Sequence, residues 1–493
     1  MNLITSDLYR RSVRGSRKAS PINLTHFDME ARPLSYFLRA CRGALVTGSP
    51  DTPVQRVCTD SRSIKPGDLF LALAGERFDG HNYVDQAITA GAAAILVNEK
   101  DRHATSSQEA TDVAVIAVGD TRLALGSLGA YYRCEFPIPS IAVAGSNGKT
   151  TTKDLIASVL GESFSVLASE ASFNNDIGVP LTLLRLNASH GAAVLEAGTN
   201  HPGELAPLVT MIAPSHGVIT SIGGEHLEFF GDLDGVSREE GMLAELLPSS
   251  GKLFLNGDDP WCLRIATRAL APVLRVGLSP ANDWCASNVR VHRDGTEFFV
   301  IGPGFDGTFR MNLLGRHQVV NALFAIALGV EFGLSSTQIE NGLLAAQPPK
   351  MRLQLSDSDG VLILDDSYNA NVDSVIAALR TLQELPTKGR RIAVLGDMAE
   401  LGDHSEAAHV EIGLQAASTG VGQLFAIGKW ASEIGRGARK GGLTRIFEFA
   451  DVDAAAAAVR SFVRQGDLVL VKASRASRLE RVSILLRGEL KRH

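Results

Sequence analysis

The chain has 493 residues, a net charge of −6 and a hydrophobic content of 45%. That length suits about three domains, and the composition is typical of a folded globular protein rather than a disordered one. The acidic charge gives no reason to expect nucleic acid as a partner. No apolar run is long enough to span a membrane, so no membrane insertion is expected.

Cysteine usage and the N-terminus bear on the compartment. The five cysteines are scattered without a C-x-x-C pair, which is typical of reduced thiols in a cytosolic protein. A cytoplasmic location is therefore expected. The first residues are rich in arginine but have no apolar segment after them, so we interpret residues 1–25 as a flexible basic tail and not a secretory signal. A transit peptide is the weaker alternative.

Residues 26–137 are predicted to form a small α/β domain. A turn at Pro66 and Gly67 precedes residues 68–74, which the pattern predicts as a half-buried strand. Ser61 and Arg62, on the preceding turn, are candidates for binding an anionic ligand. The alternative is an ordinary surface turn.

A glycine loop opens the predicted central domain, residues 138–348. The apolar run 141–144 predicts a buried strand, and residues 150–160 predict a helix. The tight loop between them would direct backbone N–H groups and the helix N-terminus at a phosphate. Lys149 is predicted to reach the outer phosphates of a nucleotide, and the hydroxyl of Thr150 to bind Mg²⁺. The predicted nucleotide-binding residues here are Gly145, Ser146, Asn147, Gly148, Lys149, Thr150 and Thr151.

The spacing of this loop is shorter than the usual Walker pattern, because Val143 stands where that pattern has its first glycine. A glycine-rich turn that merely joins a strand to a helix is the alternative. Lysine and three threonines directly after a tight turn have little packing purpose, which favours the phosphate site.

Two further residues are predicted to lie beside the loop. Glu196 and His226 come just past predicted strands at 192–195 and 217–221. Ligands in open α/β sheets bind beyond the carboxyl ends of strands, and Mg²⁺ prefers oxygen ligands. A helix-capping glutamate and a loop histidine are the alternatives. Asn321, on a helix that follows Gly315, is a candidate for ligand recognition or ordinary polar surface.

Residues 349–493 alternate strands and helices, which predicts a doubly wound, Rossmann-like unit. The glycine-rich dinucleotide fingerprint is missing, so NAD is not expected. Polar loops follow three of the predicted strands and would form a ligand face that closes over the central domain. The predicted strands are 361–364, 391–395, 423–427 and 468–471, and the loops are 365–371, 396–402 and 472–477.

Together these motifs resemble the Mur ligase family over nearly the whole chain. G-x-N-G-K-T-T at 145–151 marks the family at large. D-D-S-Y-N-A-N at 365–371, L-G-D-M-A-E-L-G at 395–402 and V-K-A-S-R at 471–475 resemble the member that adds a dipeptide. The resemblance implies three α/β domains: a small N-terminal nucleotide-sugar domain, a central P-loop ATPase-type domain and a C-terminal Rossmann-like ligase domain.

The resemblance also implies an activity. It is that of an ATP-dependent amide ligase that joins D-alanyl-D-alanine to a UDP-N-acetylmuramoyl-tripeptide in peptidoglycan precursor synthesis. The route implied is an acyl phosphate intermediate, with ATP and Mg²⁺ as cofactors and a monomer as the working form. Whether the third residue of the tripeptide is lysine or diaminopimelate stays open.

Residue roles follow from the same resemblance. It implies catalytic roles for Lys149, Glu196, His226 and Arg352. ATP would also contact Asn321, Arg352, Asp366, Tyr368 and Asn369. The substrate residues implied are Ser61 and Arg62 for the UDP part, and Asn174, Asn175 and Asp176 for the sugar and peptide. The metal ligands implied are Thr150, Glu196, His226 and Glu240.

Glu240 is a departure from the family pattern. Many members carry a carbamylated lysine at this position, and our hypothesis is that the Glu240 carboxylate replaces the carbamate at Mg²⁺. The alternative is a solvent-facing helix glutamate.

Other functions are also compatible with parts of the pattern. A tripeptide-forming muramoyl ligase or a folylpolyglutamate synthase would share the architecture, but the loop at 365–371 argues against both. A non-catalytic nucleotide-binding protein is a further alternative, against which the intact Lys149, Glu196 and His226 argue.

Overall fold

The computed structural model describes residues 29–75, 78–101 and 113–488, and the predicted basic tail at 1–25 lies outside them. Within this described part, the strands form sheets of five, nine and six strands and a two-stranded ribbon. The predicted α/β fold class is confirmed. The strands of each large sheet fall within one predicted domain range, and the boundaries themselves stay predictions.

The N-terminal sheet has the order β2-β7-β6-β5-β4, with β2 antiparallel at one edge. Strand β5, Asp68–Leu71, lies between two parallel neighbours and all four of its residues are buried. The prediction of a half-buried strand over 68–74 was therefore wrong in burial and in length, because this strand is covered on both faces.

The remaining elements of this region are short. The other strands are β1 Arg32–Pro33, β2 Ala44–Thr47, β3 Pro53–Val54, β4 Arg56–Cys58, β6 Ala94–Asn98 and β7 Ala114–Val118. The helices are Leu34–Cys41, Val84–Thr89 and Thr121–Arg133, with 3₁₀ turns at Ser61–Ser63, Gly80–Tyr83 and Glu99–Asp101.

The central sheet has the order β16-β15-β14-β13-β12-β11-β8-β10-β9. Strand β8, Ser140–Ala144, lies between its parallel neighbours β11 and β10 and is buried throughout, as expected of a parallel strand covered on both faces. The other parallel strands are β9 Val166–Ala168, β10 Ala192–Glu196, β11 His216–Ile219, β12 Lys252–Asn256 and β13 Val273–Gly277. Three further strands, which the sequence analysis did not predict, complete the sheet: β14 Trp284–His292, β15 Gly295–Gly302 and β16 Phe305–Met311. Strand β14 pairs parallel with β13, and β15 and β16 follow it antiparallel.

Helices cover both faces of the central sheet. Helix Arg316–Glu331 packs on one face together with helix Lys149–Leu160. The other face shares a core with the N-terminal region, where the Tyr132 hydroxyl donates to the Leu186 carbonyl at 2.8 Å. The other helices of this region are Gly178–Leu183, Leu205–Ile212, Leu227–Phe230, Leu233–Glu240, Met242–Leu246, Pro260–Ala266 and Ser336–Ala345.

The C-terminal sheet has the order β17-β18-β22-β19-β20-β21, parallel except for the edge strand β17. Its strands are β17 Gln354–Ser358, β18 Val361–Asp366, β19 Arg391–Gly396, β20 Gln423–Ile427, β21 Ile446–Phe449 and β22 Leu468–Lys472. Its helices are Val372–Glu384, Ser405–Ser418, Ala431–Lys440, Val452–Phe462 and Glu480–Leu486, with 3₁₀ turns at Gly402–His404 and Arg475–Ser477. Among the described residues, no helix is both long enough and apolar enough to cross a membrane.

Candidate active site

The glycine loop joins β8 to helix Lys149–Leu160, as the sequence predicts. Gly145 has a φ of 111° and Gly148 a φ of 88°, a backbone region that favours glycine. A Cβ at Gly148 would lie 2.6 Å from the Asn321 side-chain oxygen, so a larger residue would also collide with the neighbouring helix. The two glycines therefore fix the shape of the loop and its approach to Asn321.

Lys149 folds back onto this loop. Its Nζ donates to the Gly145 carbonyl at 2.5 Å and the Ser146 carbonyl at 3.2 Å, and it lies 3.3 Å from Glu225 Oε1. Burial lowers the pKa of Lys149, but three nearby carboxylates outweigh burial and raise the pKa overall. These carboxylates belong to Glu225, Glu240 and Glu196. Lys149 is therefore a firmly charged ammonium beside the phosphate loop.

Glu225 and Glu240 are two carboxylates that contact this loop at Lys149 and at Gly145. Burial raises the pKa of Glu225 to about 7, and the charge of Lys149 opposes this rise. Glu240 is 1% exposed, and its Oε2 accepts a hydrogen bond from the Gly145 amide at 2.7 Å. Burial also raises the pKa of Glu240, against the pull of Lys149 and of that amide. Glu240 is thus a buried support of the loop in this arrangement, not a solvent-facing helix residue.

Glu196 ends strand β10 and is 1% exposed. Its Oε1 accepts a hydrogen bond from Asn174 Nδ2 at 2.8 Å, whereas Oε2 is buried with no hydrogen-bond partner among the described residues. A buried carboxylate oxygen without a partner is costly unless a cation or a ligand meets it. This orphaned oxygen therefore fits a bound Mg²⁺, which is held by few protein ligands together with phosphates and waters.

The described residues contain no group of three His, Cys, Asp or Glu side chains placed to hold a metal alone. Thr150 is buried in the first turn of the helix after the loop, and its hydroxyl is a second oxygen ligand that could serve alongside the Glu196 carboxylate. A site built from these two would need nucleotide phosphates and water to complete it, as is usual for Mg²⁺ in nucleotide enzymes.

His226 is not placed directly past a strand end, because β11 ends at Ile219 and not at residue 221. It precedes helix Leu227–Phe230 with a φ of 52°, and its Nδ1 lies 2.5 Å from Glu400 Oε2 in the C-terminal region. Burial lowers the pKa of His226, and the Glu400 carboxylate opposes this. The amide of Glu228 also donates to the Glu400 carbonyl at 3.1 Å. His226 is therefore part of a contact between the central and C-terminal regions.

Residues of the C-terminal region face the glycine loop. Arg352 donates from Nη2 to Thr150 Oγ1 at 3.3 Å, and its guanidinium lies 4.4 Å from the centre of the Tyr368 ring. The Asn371 amide donates to Asn147 Oδ1 at 3.0 Å. These contacts hold the two regions together across the site.

Asp366 and Lys472 form a buried pair at the ends of neighbouring strands β18 and β22. Lys472 Nζ lies 2.6 Å from Asp366 Oδ2 and donates to the Asn369 carbonyl at 2.9 Å. Burial raises the pKa of Asp366, and Lys472 acts against that rise. The pair fixes the start of the polar loop that carries Tyr368 and Asn369.

These residues enclose a cleft of about 840 Å³ between the central and C-terminal sheets. Most predicted nucleotide and metal residues line this cleft: Ser146, Asn147, Gly148, Lys149, Thr150, Thr151, Glu196, His226, Asn321, Arg352, Asp366, Tyr368 and Asn369. Asn174 lines it as well. The lining does not include Gly145, Asn175, Asp176 or Glu240, nor Ser61 and Arg62 of the N-terminal region.

Apart from Asn174, the predicted substrate residues lie outside the cleft lining. Arg62 has a side chain that is 82% exposed, and it pairs with Asp60 at 2.7 Å. Ser61 donates to Gln86 at 3.1 Å. Asp176 pairs with Arg122 of the N-terminal region, so the loop that carries Asn174 connects the cleft to that region.

Several residues of the cleft were missed from the sequence. Glu225 stands next to His226, a signal that was not used, whereas Lys472 was placed in the predicted ligand-face loop 472–477 but given no individual role. Asp373 was not predicted as a site residue, but it lines the cleft, and its carboxylate accepts a hydrogen bond from the Gly224 amide at 3.3 Å. Nothing in the sequence around His317 marked it as a site residue. Burial and the charge of Lys472 lower the pKa of His317 to about 4.

Comparison with known families accounts for this arrangement. A family model described as the Mur ligase middle domain matches residues 143–329. The model described as Mur ligase, glutamate ligase domain matches residues 351–475, and that of the Mur ligase family, catalytic domain, matches residues 53–133. The three matches follow the order of the three sheets.

Relatives and solved structures agree with these matches. The UDP-N-acetylmuramoyl-tripeptide–D-alanyl-D-alanine ligase of Escherichia coli K12 is 38% identical over 439 residues, which are 88% of this chain and 93% of the relative. A crystal structure of MurF from Acinetobacter baumannii matches with a TM-score of 0.85 at 31% identity, over 93% of this chain and 99% of that one. MurF ligase from Thermotoga maritima, solved in complex with ADP, matches with a TM-score of 0.78 at 26% identity, over 88% and 97%. The predicted resemblance and three-domain architecture are confirmed, and the chain belongs to the Mur ligase family of ATP-dependent amide ligases.

Proposed function

We propose that this protein joins D-alanyl-D-alanine to a UDP-N-acetylmuramoyl-tripeptide in the synthesis of peptidoglycan precursors, with ATP converted to ADP and phosphate. The observation that carries the proposal is the cleft, where the loop at 145–151 faces the polar loop at 365–371. The relatives that bear the name of this reaction cover nearly the whole chain. We expect it to act as a monomer in the cytoplasm, where ATP and nucleotide-linked sugars are available.

The reaction has two steps. An oxygen of the tripeptide's terminal carboxylate attacks the γ-phosphorus, the bond from that phosphorus to the bridging oxygen breaks, and ADP leaves. The carboxylate, a poor electrophile, has become an acyl phosphate. The dipeptide's amine then attacks the carbonyl carbon, a proton leaves the nitrogen, and phosphate departs with the original carboxylate oxygen. The protein mainly needs to position the reactants and stabilise charge.

Lys149 is proposed to neutralise charge on the transferring phosphoryl group, because its pKa keeps it protonated beside the loop. Arg352, which touches Thr150 from the opposite side of the cleft, would assist it. Asn321, on the helix packed against Gly148, is proposed to contact ATP. Asp366, Tyr368 and Asn369 are proposed to contact ATP from the C-terminal side, where all three line the cleft.

Mg²⁺ would be held by Thr150 and Glu196, with His226 as a further ligand once it is free of Glu400. When bound, the ion would neutralise charge on the nucleotide phosphates. Glu240 is proposed to support the loop through the Gly145 amide.

Substrate contacts are proposed in the N-terminal region and along the loop that leads from it to the cleft, where Asn174 lines the cleft itself. Arg62 is exposed and could accept an anionic UDP group, with Ser61 beside it. Asn174, Asn175 and Asp176 are proposed to line the sugar and peptide path, since their loop joins the cleft to the N-terminal region. We propose that three domains move relative to one another around these substrates, with the ranges 26–137, 138–348 and 349–493.

An isotope transfer experiment tests the acyl phosphate. Tripeptide labelled with ¹⁸O in its terminal carboxylate is incubated with the dipeptide, ATP and Mg²⁺, and the phosphate released is analysed by mass spectrometry. One ¹⁸O per phosphate is expected, and the Lys149→Ala variant should release little phosphate of any kind. Phosphate without ¹⁸O, in a reaction that still forms the amide, would overturn the proposed route.

A further inference from the structure

Lys153 is a buried cation to which the proposed function gives no role. It lies on the helix that follows the phosphate loop, and it is 1% exposed. Its Nζ donates to the Ser169 carbonyl at 2.7 Å and to the Ala171 carbonyl at 3.0 Å, and the Asp154 carboxylate lies 2.7 Å away. Lysine is rarely buried to this degree, because an ammonium is costly to remove from water unless it is paired. The two carbonyls that Lys153 brings together therefore indicate what it does.

The segment that carries these carbonyls has no regular structure of its own. Strand β9 ends at Ala168, and the next helix begins at Gly178. Ala171 has a φ of 46°, in the left-handed region that residues other than glycine rarely adopt. Such a conformation persists only where surrounding contacts hold it. The ammonium of Lys153 supplies a buried contact of this kind on both sides of residue 170.

Segment 169–174 meets Glu196 at both of its ends. The Ser169 hydroxyl accepts from the Glu196 amide at 3.2 Å, and Asn174 Nδ2 donates to Glu196 Oε1 at 2.8 Å. Between them, the hydroxyl of Ser172 is hydrogen-bonded to that of Tyr368 at 2.8 Å. Because Asn174 occupies one oxygen of the Glu196 carboxylate and leaves the other without a partner, the direction of that carboxylate depends on how the segment is held.

Lys153 does not itself line the cleft, so it acts on the site through this segment. We propose that Lys153 is a positioning residue for the ligation: it fixes segment 169–174, and the segment in turn orients the Glu196 carboxylate. Since the same helix begins at Lys149, the phosphate loop and Glu196 are held in one frame. The catalytic part of this inference rests on the proposed function, whereas the structural part concerns the protein without substrates.

Lys153→Met tests the structural part, because methionine keeps an apolar stem of similar length and has no donor. The readout is amide hydrogen exchange of the protein without substrates, measured by mass spectrometry. We expect residues 169–176 of K153M to exchange about tenfold faster than those of wild type, or more, and the helix at 149–160 to exchange at the wild-type rate.

Steady-state ligation tests the catalytic part. We expect kcat of K153M to fall by about 10–100-fold, since a displacement of about 1 Å in an aligned group can cost about 100-fold. The KM for ATP should stay within about threefold of wild type, because Lys153 donates to no residue of the loop at 145–151.

Two control variants separate this role from general stability. Asp154→Asn keeps the ammonium and an acceptor oxygen beside it, and should match wild type in both readouts. Val159→Ala removes apolar volume from a fully buried position on the same helix. It should lower the melting temperature and leave exchange at 169–176 and kcat unchanged.

Two results would overturn the proposal. Exchange at 169–176 that stays within about twofold of wild type in K153M would mean that the segment holds itself. A loss of kcat that V159A reproduces at an equal fall in melting temperature would mean that Lys153 serves only stability. If K153M does not fold, Lys153→Gln, which is one bond shorter and keeps an amide donor, is judged by the same two results. A wild type that forms no amide would count against the proposed function, and the exchange result would still decide the structural part.

Discussion

Replacing Glu240 is expected to show whether this carboxylate supports the phosphate loop or binds Mg²⁺. Its Oε2 is the partner of the buried Gly145 amide at 2.7 Å, and a hydrogen bond to a charged group contributes about 1.5–3 kcal/mol. Glu240→Ala leaves that amide unpaired and opens a cavity, so we expect the free energy of unfolding to fall by about 3 kcal/mol. For a unit of roughly 200 residues this lowers the melting temperature by about 6–12 °C.

Glu240→Gln is the matched variant, because its amide oxygen can still accept from Gly145. The substitution removes a buried charge, and burying a charge is itself unfavourable. The free energy of unfolding should therefore fall by less than about 1 kcal/mol. The assays are thermal unfolding and the Mg²⁺ concentration that gives half-maximal phosphate release. We expect that concentration to stay within twofold of wild type in Glu240→Gln. A tenfold rise, or equal destabilisation by both substitutions, would refute the reasoning and restore Glu240 as a metal ligand.

Three further outcomes are expected. His317 has a pKa of about 4 in the fold and about 6.5 when unfolded, so the unfolded chain binds more protons between these values and stability falls as pH drops through that window. Urea unfolding measures the free energy of unfolding of wild type and His317→Gln at pH 7 and at pH 4.5. Between these pH values, the free energy of unfolding should fall by about 2 kcal/mol less in the variant than in wild type, and equal falls would contradict this. Asn371 caps helix Val372–Glu384, and its side chain also donates a hydrogen bond to Asn147 Oδ1. Asn371→Ala should cost about 1–2 kcal/mol in denaturant unfolding, and Asn371→Ser, which keeps the cap, clearly less; equal losses would argue against the cap. Tyr368→Leu removes the ring under Arg352 and should raise the KM for ATP about 5–30-fold, whereas Tyr368→Phe keeps the ring and should stay near wild type.

Local patterns were sufficient to predict the bounds of several parallel strands. Strand β20, Gln423–Ile427, begins and ends at the predicted residues, and β8 differs by one residue at its start. Strands β18 and β22 run further than their apolar runs, because Asp366 pairs in register with Lys472 and the two side chains form an ion pair. Polar strand ends of this kind need a partner that the sequence does not reveal.

Tertiary contacts decided what the sequence could not. Glu225 and His226 are neighbours, yet the first lies beside Lys149 and the second beside Glu400. The positive φ of His226 turns the chain between them, and spacing gives no sign of this. Strands β14–β16 were missed because many of their residues are polar and partly exposed, which weakens the apolar pattern.

The most direct test of the account is phosphate release from ATP and Mg²⁺, with UDP-N-acetylmuramoyl-tripeptide and D-alanyl-D-alanine added singly and together. Tripeptides ending in lysine and in diaminopimelate are tried in turn. The account predicts sustained release only when both substrates are present, with one amide formed per phosphate. Release that ignores D-alanyl-D-alanine but responds to another amine would contradict it and indicate a different ligation within the family.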